Sequence, residues 1–229
     1  MLNSLLGTFV NTGTVLLGAL LGMLFNKLLP ERLSKTVMAA LALCVIYIGV
    51  DGSLSGDNAL ITIISMVVGA VIGELLNLDL RLSRFGERLE ARFKKGSGGS
   101  VAEGFVTSSL VFCVGSMAIV GSLQSGLTGD HSMLYAKSLL DFVSAIIFAS
   151  TLGVGVALSA VSVLVYQGAI TLFAGLMSPL LSGTVISEMT CVGSILIIGL
   201  GLNMLGATKI KVMNCLPAIF IPIILCKFM

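Results

Sequence analysis

The feature that most constrains this chain is a succession of apolar stretches, broken by short charged or Gly/Ser-rich segments. A helix that crosses the hydrocarbon core of a bilayer needs about 20 mostly apolar residues, within a range of about 17 to 25. Reading from break to break gives eight stretches of that kind: 5–27, 35–51, 58–77, 104–122, 132–152, 155–181, 188–206 and 210–228. In lipid every backbone N–H and C=O must be satisfied within the protein, so stretches like these are helices. The expectation is an all-α transmembrane bundle of about eight spans, forming one domain over 1–229. The fifth and sixth stretches run together from Ser132 to Ser182, with only Gly153 and Gly155 to mark a turn. Seven spans, with part of that run re-entrant, is the alternative.

Composition decides between a buried core and a lipid-facing one. Of 229 residues, 56% are apolar and 10% charged, with mean hydropathy +1.10. Soluble domains carry about 25% charged residues, so this chain has too little polar surface to enclose its apolar residues in water. Cys44, Cys113, Cys191, Cys215 and Cys226 lie inside apolar runs without paired spacing and read as small buried hydrophobes. With His131 the only histidine, no metal site is expected. Residues Met1 to Val10 lack a basic stretch and a cleavage site, and so read as the start of a retained helix.

Lysine and arginine concentrate on the cytoplasmic side of membrane proteins. With the N-terminus outside, Lys27, Arg32 and Lys35 fall inside, as do Arg81, Arg84, Arg88, Arg92, Lys94, Lys95, Lys209 and Lys211. Of the thirteen basic residues only Lys137 and Lys227 are left out, so both termini are expected outside a bacterial inner membrane. The segment 79–103 is the one long polar loop. Its arginines recur every three or four residues on one helical face, and a Gly/Ser linker follows Lys95. It reads as a solvated topology anchor or as a contact for anionic headgroups.

Two likenesses within the chain suggest a repeat. Gly52-Ser53-Leu54-Ser55-Gly56-Asp57-Asn58 resembles the run from Gly121-Ser122-Leu123 to Gly129-Asp130-His131, and both precede apolar helices. Ile48-Gly49-Val50-Asp51-Gly52 resembles Ile198-Gly199-Leu200-Gly201-Leu202-Asn203. An inverted repeat of helices 1–3 on helices 6–8 is the reading these suggest, and such repeats with interrupted helices mark secondary transporters.

Polar residues inside the spans are the candidate site. Asp141 lies about nine residues into its helix, or about 13 Å at 1.5 Å per residue, near the bilayer midplane. A charge there costs at least about 2.5–3.5 kcal/mol, and Lys137, four residues earlier on the same face, is its expected partner. A purely structural ion pair is the competing reading. Tyr166 and Gln167 interrupt helix 6 and Asn11 interrupts helix 1, so their side chains should face the bundle, as interhelical glue or as a permeation path. Asp57 and Asp130 read as helix N-caps that also line, with Asn58 and His131, an outer vestibule for cations. Asn203 completes the candidate set. Gly18/Gly22 and Gly69/Gly73 form G-x-x-x-G patterns that favour close helix packing, and from them a homodimer is expected.

No enzymatic constellation stands out. The G-x-G-D of an intramembrane aspartyl protease is missing its first glycine at both Asp57 and Asp130. His131 has no G-x-S-x-G nearby, and no phosphate-binding glycine loop occurs. No cofactor and no nucleic-acid partner are expected.

The run Gly115-Ser116-Met117-Ala118-Ile119-Val120-Gly121-Ser122, with Gln124 to His131 after it, resembles the YqgA/YdfK-like family of bacterial membrane proteins. Ala136-Lys137-Ser138, Asp141, Tyr166-Gln167-Gly168, Gly201-Leu202-Asn203 and Lys209-Ile210-Lys211-Val212 extend the likeness over essentially the whole chain. That family carries a label of unknown function, so the resemblance implies architecture and no substrate. The residues point to transport of an ion or small polar solute across the lipid bilayer, with a membrane scaffold or sensor acting through 81–95 as the alternative.

Overall fold

The computed structural model describes residues 3–26, 31–81, 84 and 101–228. Among these residues there is no β-strand, and the elements follow one another as helices. They are α1 (Leu6–Asn26), α2 (Glu31–Ser53), α3 (Ala59–Leu75), α4 (Val101–Cys113), α5 (Ser116–Thr128), α6 (Ser132–Leu152) and α7 (Val154–Leu172). The short α8 (Ala174–Met177), α9 (Gly183–Met204), a 3₁₀ stretch Val212–Phe220 and α10 (Pro222–Leu225) complete the chain. Arg88, Arg92, Lys94, Lys95 and the Gly/Ser linker of the expected cytoplasmic loop lie outside the described residues, as does Lys27. Arg81 and Arg84 are described, and both are exposed.

The eight expected stretches are each represented by helix, but not in eight equal forms. Among the described residues five helices are long and apolar enough to cross a membrane: α1, α2 (from Lys35), α6, α7 and α9. The fourth stretch is not one helix. It is α4 followed by α5, bent by 59°, because Gly115 takes φ +132 and ψ 143, a conformation that excludes a helical continuation. The third and eighth stretches are shorter apolar elements, Ala59–Leu75 and Val212–Leu225. In the last of these, Pro217 sits inside the helical run, where it removes a donor, and the backbone winds as a 3₁₀ helix. The run from Ser132 to Ser182 divides at Gly153 (φ 68, ψ −144), which separates two full-length helices by a single residue.

The chain forms two compact units, Met1–Val37 with Gly86–Pro179, and Met38–Phe85 with Leu180–Met229. Helix 1 therefore groups with the fourth, fifth and sixth stretches, and the second and third group with the seventh and eighth. This division cuts across the suggested repeat of helices 1–3 on 6–8.

In the first unit α1 lies along α6 and also meets α7, while α4 and α5 pack on α7. Gly18 and Gly22 let α1 approach α6 closely. A Cβ at Gly18 would meet the Phe142 carbonyl and Ala145, and one at Gly22 would meet the Ile146 carbonyl and Ala149. In the second unit Gly69 and Gly73 take the Val212–Phe220 stretch in the same way, at Ala218 and Asn214. Both G-x-x-x-G patterns are thus occupied within the chain, and the expectation of a homodimer loses the motif it rested on.

The two internal likenesses acquire separate explanations. Gly49 and Gly52 of α2 press on Ile198 and Ser194 of α9, and Gly201 of α9 presses back on Ile46 and the Ala42 carbonyl. The second likeness therefore follows one packing seam, where both helices need small residues. The first is a likeness of sequence alone. Leu54 to Asn58 is a turn, whereas Gly121 to Thr128 is helical, and only Gly129 (φ 73), Asp130 and His131 turn before α6.

Candidate functional site

Four of the candidate residues come together in the first unit. The Lys137 Nζ donates to both carboxylate oxygens of Asp141, at 2.8 and 2.7 Å. Each side chain is only 8% exposed. The i,i+4 spacing on α6 makes this pairing local. The Asn11 Nδ2 on α1 donates to Asp141 Oδ2 at 3.0 Å and to Gln167 Oε1 on α7 at 3.3 Å. Asn11 and Gln167 are fully buried. Three helices are therefore tied to one carboxylate by an ammonium and an amide. Tyr166, next in sequence to Gln167, is half-buried.

The break between α4 and α5 adjoins this cluster. Cys113, the last residue of α4, is within electrostatic reach of both Lys137 and Asp141, and of Tyr166. A break of this kind leaves helix-end N–H and C=O groups outside the helical ladder. The signal for it in the sequence was Gly115 alone, which reads equally well as a packing glycine.

Hydrogen-bonding capacity is left over at the cluster. Asn11 Oδ1 and Gln167 Nε2 are buried and have no hydrogen-bond partner among the described residues. The same holds for the hydroxyls of Thr8, Thr107, Ser108 and Ser122 in this unit. Buried polar atoms in native proteins are overwhelmingly paired, with protein or ordered water, so the two unmatched amide atoms at the cluster stand out.

The other candidates lie elsewhere. Asp130 and His131 sit at the turn before α6. Asp130 Oδ1 accepts from the Ser132 N–H at 2.9 Å and its hydroxyl at 2.6 Å, and Oδ2 accepts from Gln124 Nε2 at 2.8 Å. The two bonds from Ser132 hold the Asp130 carboxyl below the ordinary carboxylate range. His131 Nδ1 lies 2.8 Å from Ser125 Oγ, whose proton is donated to the Ser4 carbonyl at 2.7 Å. With that proton spent, Nδ1 is the donor in the His131–Ser125 bond.

In the second unit Asn58, and not Asp57, caps α3, accepting from the Leu60 N–H at 3.0 Å. The Asp57 side chain is exposed. Asn203 spends its amide on the turn that follows α9: Oδ1 accepts from Thr208 Oγ1 and the Ile210 N–H, and Nδ2 donates to the Ile210 carbonyl. A turn clasp accounts for all three of these bonds.

The sequence reading missed Glu188. It was placed at the very start of the seventh span, but α9 begins at Gly183 with Ser182 as its cap, which puts Glu188 in the second turn. It is completely buried. Its Oε1 accepts from the N–H groups of Asp57 and Asn58, both at 2.8 Å, and its Oε2 accepts more weakly from Thr62 Oγ1 at 3.4 Å. The carboxylate is thus seated on the N-terminus of α3, where backbone dipoles favour negative charge. An acid six residues beyond a Ser cap, inside an apolar helix, was the available signal.

Long apolar helices and a charged pair buried between them define a multi-pass membrane protein of the all-α class. The chain belongs to the family described as Protein of unknown function (DUF554), which it matches over residues 6–227. It is 33% identical over 220 residues to the Uncharacterized membrane protein YdfK of Bacillus subtilis (strain 168), covering 94% of this chain and 93% of that one. It is 31% identical over 220 residues to the Uncharacterized protein YqgA of Escherichia coli (strain K12), covering 94% of each. No solved structure matches it.

Proposed function

We propose that this protein moves an ion or small polar solute across the bacterial inner membrane, with both termini outside, and that the moving species passes the Lys137–Asp141 cluster. One observation carries the reading: a buried ion pair tied to two buried amides that still hold an unspent acceptor, Asn11 Oδ1, and an unspent donor, Gln167 Nε2. A pair whose only task was to join helices would gain from complete satisfaction, because a partly satisfied buried network is costlier than an apolar one. The broken α4–α5 element beside the pair supports the same reading, since interrupted helices form binding sites in secondary transporters.

The test is a thermal-shift screen of purified protein against ions and metabolites. A ligand at 100 times its Kd stabilises by about 2.7 kcal/mol. The expected result is at least one solute that stabilises wild type and no longer stabilises Asp141→Asn. Solutes that stabilise both proteins equally would move the site away from Asp141.

A further inference from the structure

We infer that the species reaching Asp141 is the proton, delivered along a file of buried hydroxyls that begins at His131, and that it passes without a second solute. The inference rests on the reading of the Lys137–Asp141 cluster as a transport site.

The file lies wholly within the first unit. At its mouth His131, half-buried, bonds the Ser125 hydroxyl, which is tied in turn to Ser4. One turn deeper on α5 is Ser122, fully buried, its hydroxyl without a partner among the described residues and its carbonyl accepting from Thr171 Oγ1 at 3.2 Å. Thr171 is four residues from Gln167 on α7, hence on the same face. Thr8, fully buried with an unmatched hydroxyl, is three residues from Asn11 on α1 and borders Gly168. Polar groups from α1, α5 and α7 therefore follow one direction, from the start of α6 to its tenth residue, Asp141. A hydroxyl both donates and accepts, and buried waters settle on polar atoms of this kind. Together they make a chain along which a proton can hop.

The geometry at Asp141 selects a proton over a metal cation. Its carboxylate offers about four lone-pair positions, and Lys137 takes one on each oxygen while Asn11 takes a second on Oδ2. One position remains, on Oδ1. A metal cation needs several oxygen ligands and would have to displace the ammonium, whereas a proton needs one lone pair. The step is a transfer to Oδ1 from a hydronium, or from a hydroxyl that takes a proton from its own neighbour as it gives one up. At Asp141 one O–H bond forms as one breaks on the donor, water or the neutral hydroxyl is left behind, and the pair becomes Lys137 ammonium beside a neutral acid. The unopposed ammonium then favours release, toward the break after Cys113. Lys137 on its own helix and Asn11 from α1 bond Asp141, Gln167 on α7 bonds Asn11, and Cys113 at the end of α4 lies within electrostatic reach of the pair and of Tyr166.

The test uses full-length protein in liposomes loaded with the pH dye pyranine, under a potassium diffusion potential set with valinomycin. Wild type should pass protons well above protein-free vesicles. Asp141→Asn should lower the flux by at least about tenfold, and Ser122→Val combined with Thr171→Val several-fold, with the melting temperature kept as a check on folding. Thr190→Val, which removes an equally buried and unmatched hydroxyl in the other unit, should leave the flux unchanged. Wild-type vesicles that pass no protons, or a flux indifferent to the Ser122/Thr171 variant, would overturn the inference. If such protein still bound a solute in an Asp141-dependent way, the transport reading would stand without the proton.

Discussion

Among the described residues each compact unit buries one carboxylate deeply, and the two are neutralised differently. Asp141 is matched by a full positive charge, Lys137, on its own helix. Glu188 has no cationic partner among the described residues and is held by two backbone N–H groups and a hydroxyl at the start of α3. A helix N-terminus contributes only about half a charge, but it is rigid and already in place, so Glu188 acts as a clasp on the 54–58 turn. An ammonium on a flexible side chain can move away. The difference separates a fixed joint from a group that can change partners, and it is the latter that is tied to amides with an unspent acceptor and an unspent donor, Asn11 Oδ1 and Gln167 Nε2.

The comparison is broken most severely by removing one member of the charged pair. Lys137→Met or Asp141→Leu alone leaves an uncompensated buried charge, with an expected loss of about 3–5 kcal/mol, read as a fall in the unfolding midpoint in detergent. At Glu188 the expected loss is smaller. Glu188→Leu leaves the Asp57 and Asn58 N–H groups without their acceptor, at about 1–3 kcal/mol. Asp57→Ala, at an exposed side chain beside the same turn, should stay within about 0.5 kcal/mol of wild type. A larger effect at Asp57 than at Glu188 would reverse their assignments.

These residues also show what could be read in advance. Lys137, Asp141, Asn11 and Gln167 were legible because polar groups inside apolar stretches must find one another in lipid. Glu188 escaped because an acid next to a span boundary looks like the boundary itself. The break at Gly115 escaped because a glycine that ends a helix and a glycine that admits a neighbour are written alike. The glycines at 18, 22, 69 and 73 were legible as close-packing sites, but not the partner each would meet, which depends on tertiary fold.

The packing seams extend the comparison with intermediate effects. Gly22→Ala in the first unit and Gly73→Ala in the second each force a Cβ into a facing backbone carbonyl, and overpacking of this kind costs about 1–3 kcal/mol. Gly13→Ala, with open space around its Cβ, should instead stabilise α1 by about 0.5–1 kcal/mol. Equal losses at all three positions would contradict the seams. The smallest effect concerns Asp130. Its carboxyl is held below the ordinary range by Ser132, so its contribution is complete above the unfolded-state pKa and disappears as pH falls through the lower folded-state value. Asp130→Asn should therefore lower stability slightly near neutral pH and converge on wild type in acid, which flattens the acid limb of the stability profile.

Under the proposed function the Lys137–Asp141 pair handles a moving species and does not merely join helices. The direct measurement compares proton flux and melting temperature in the double variant Lys137→Met with Asp141→Leu. Removing both charges restores neutrality, so the protein should melt close to wild type, well above either single variant, and yet pass no protons and respond to no solute. A double variant that is equally stable and retains wild-type flux or solute response would reduce the pair to a structural bridge.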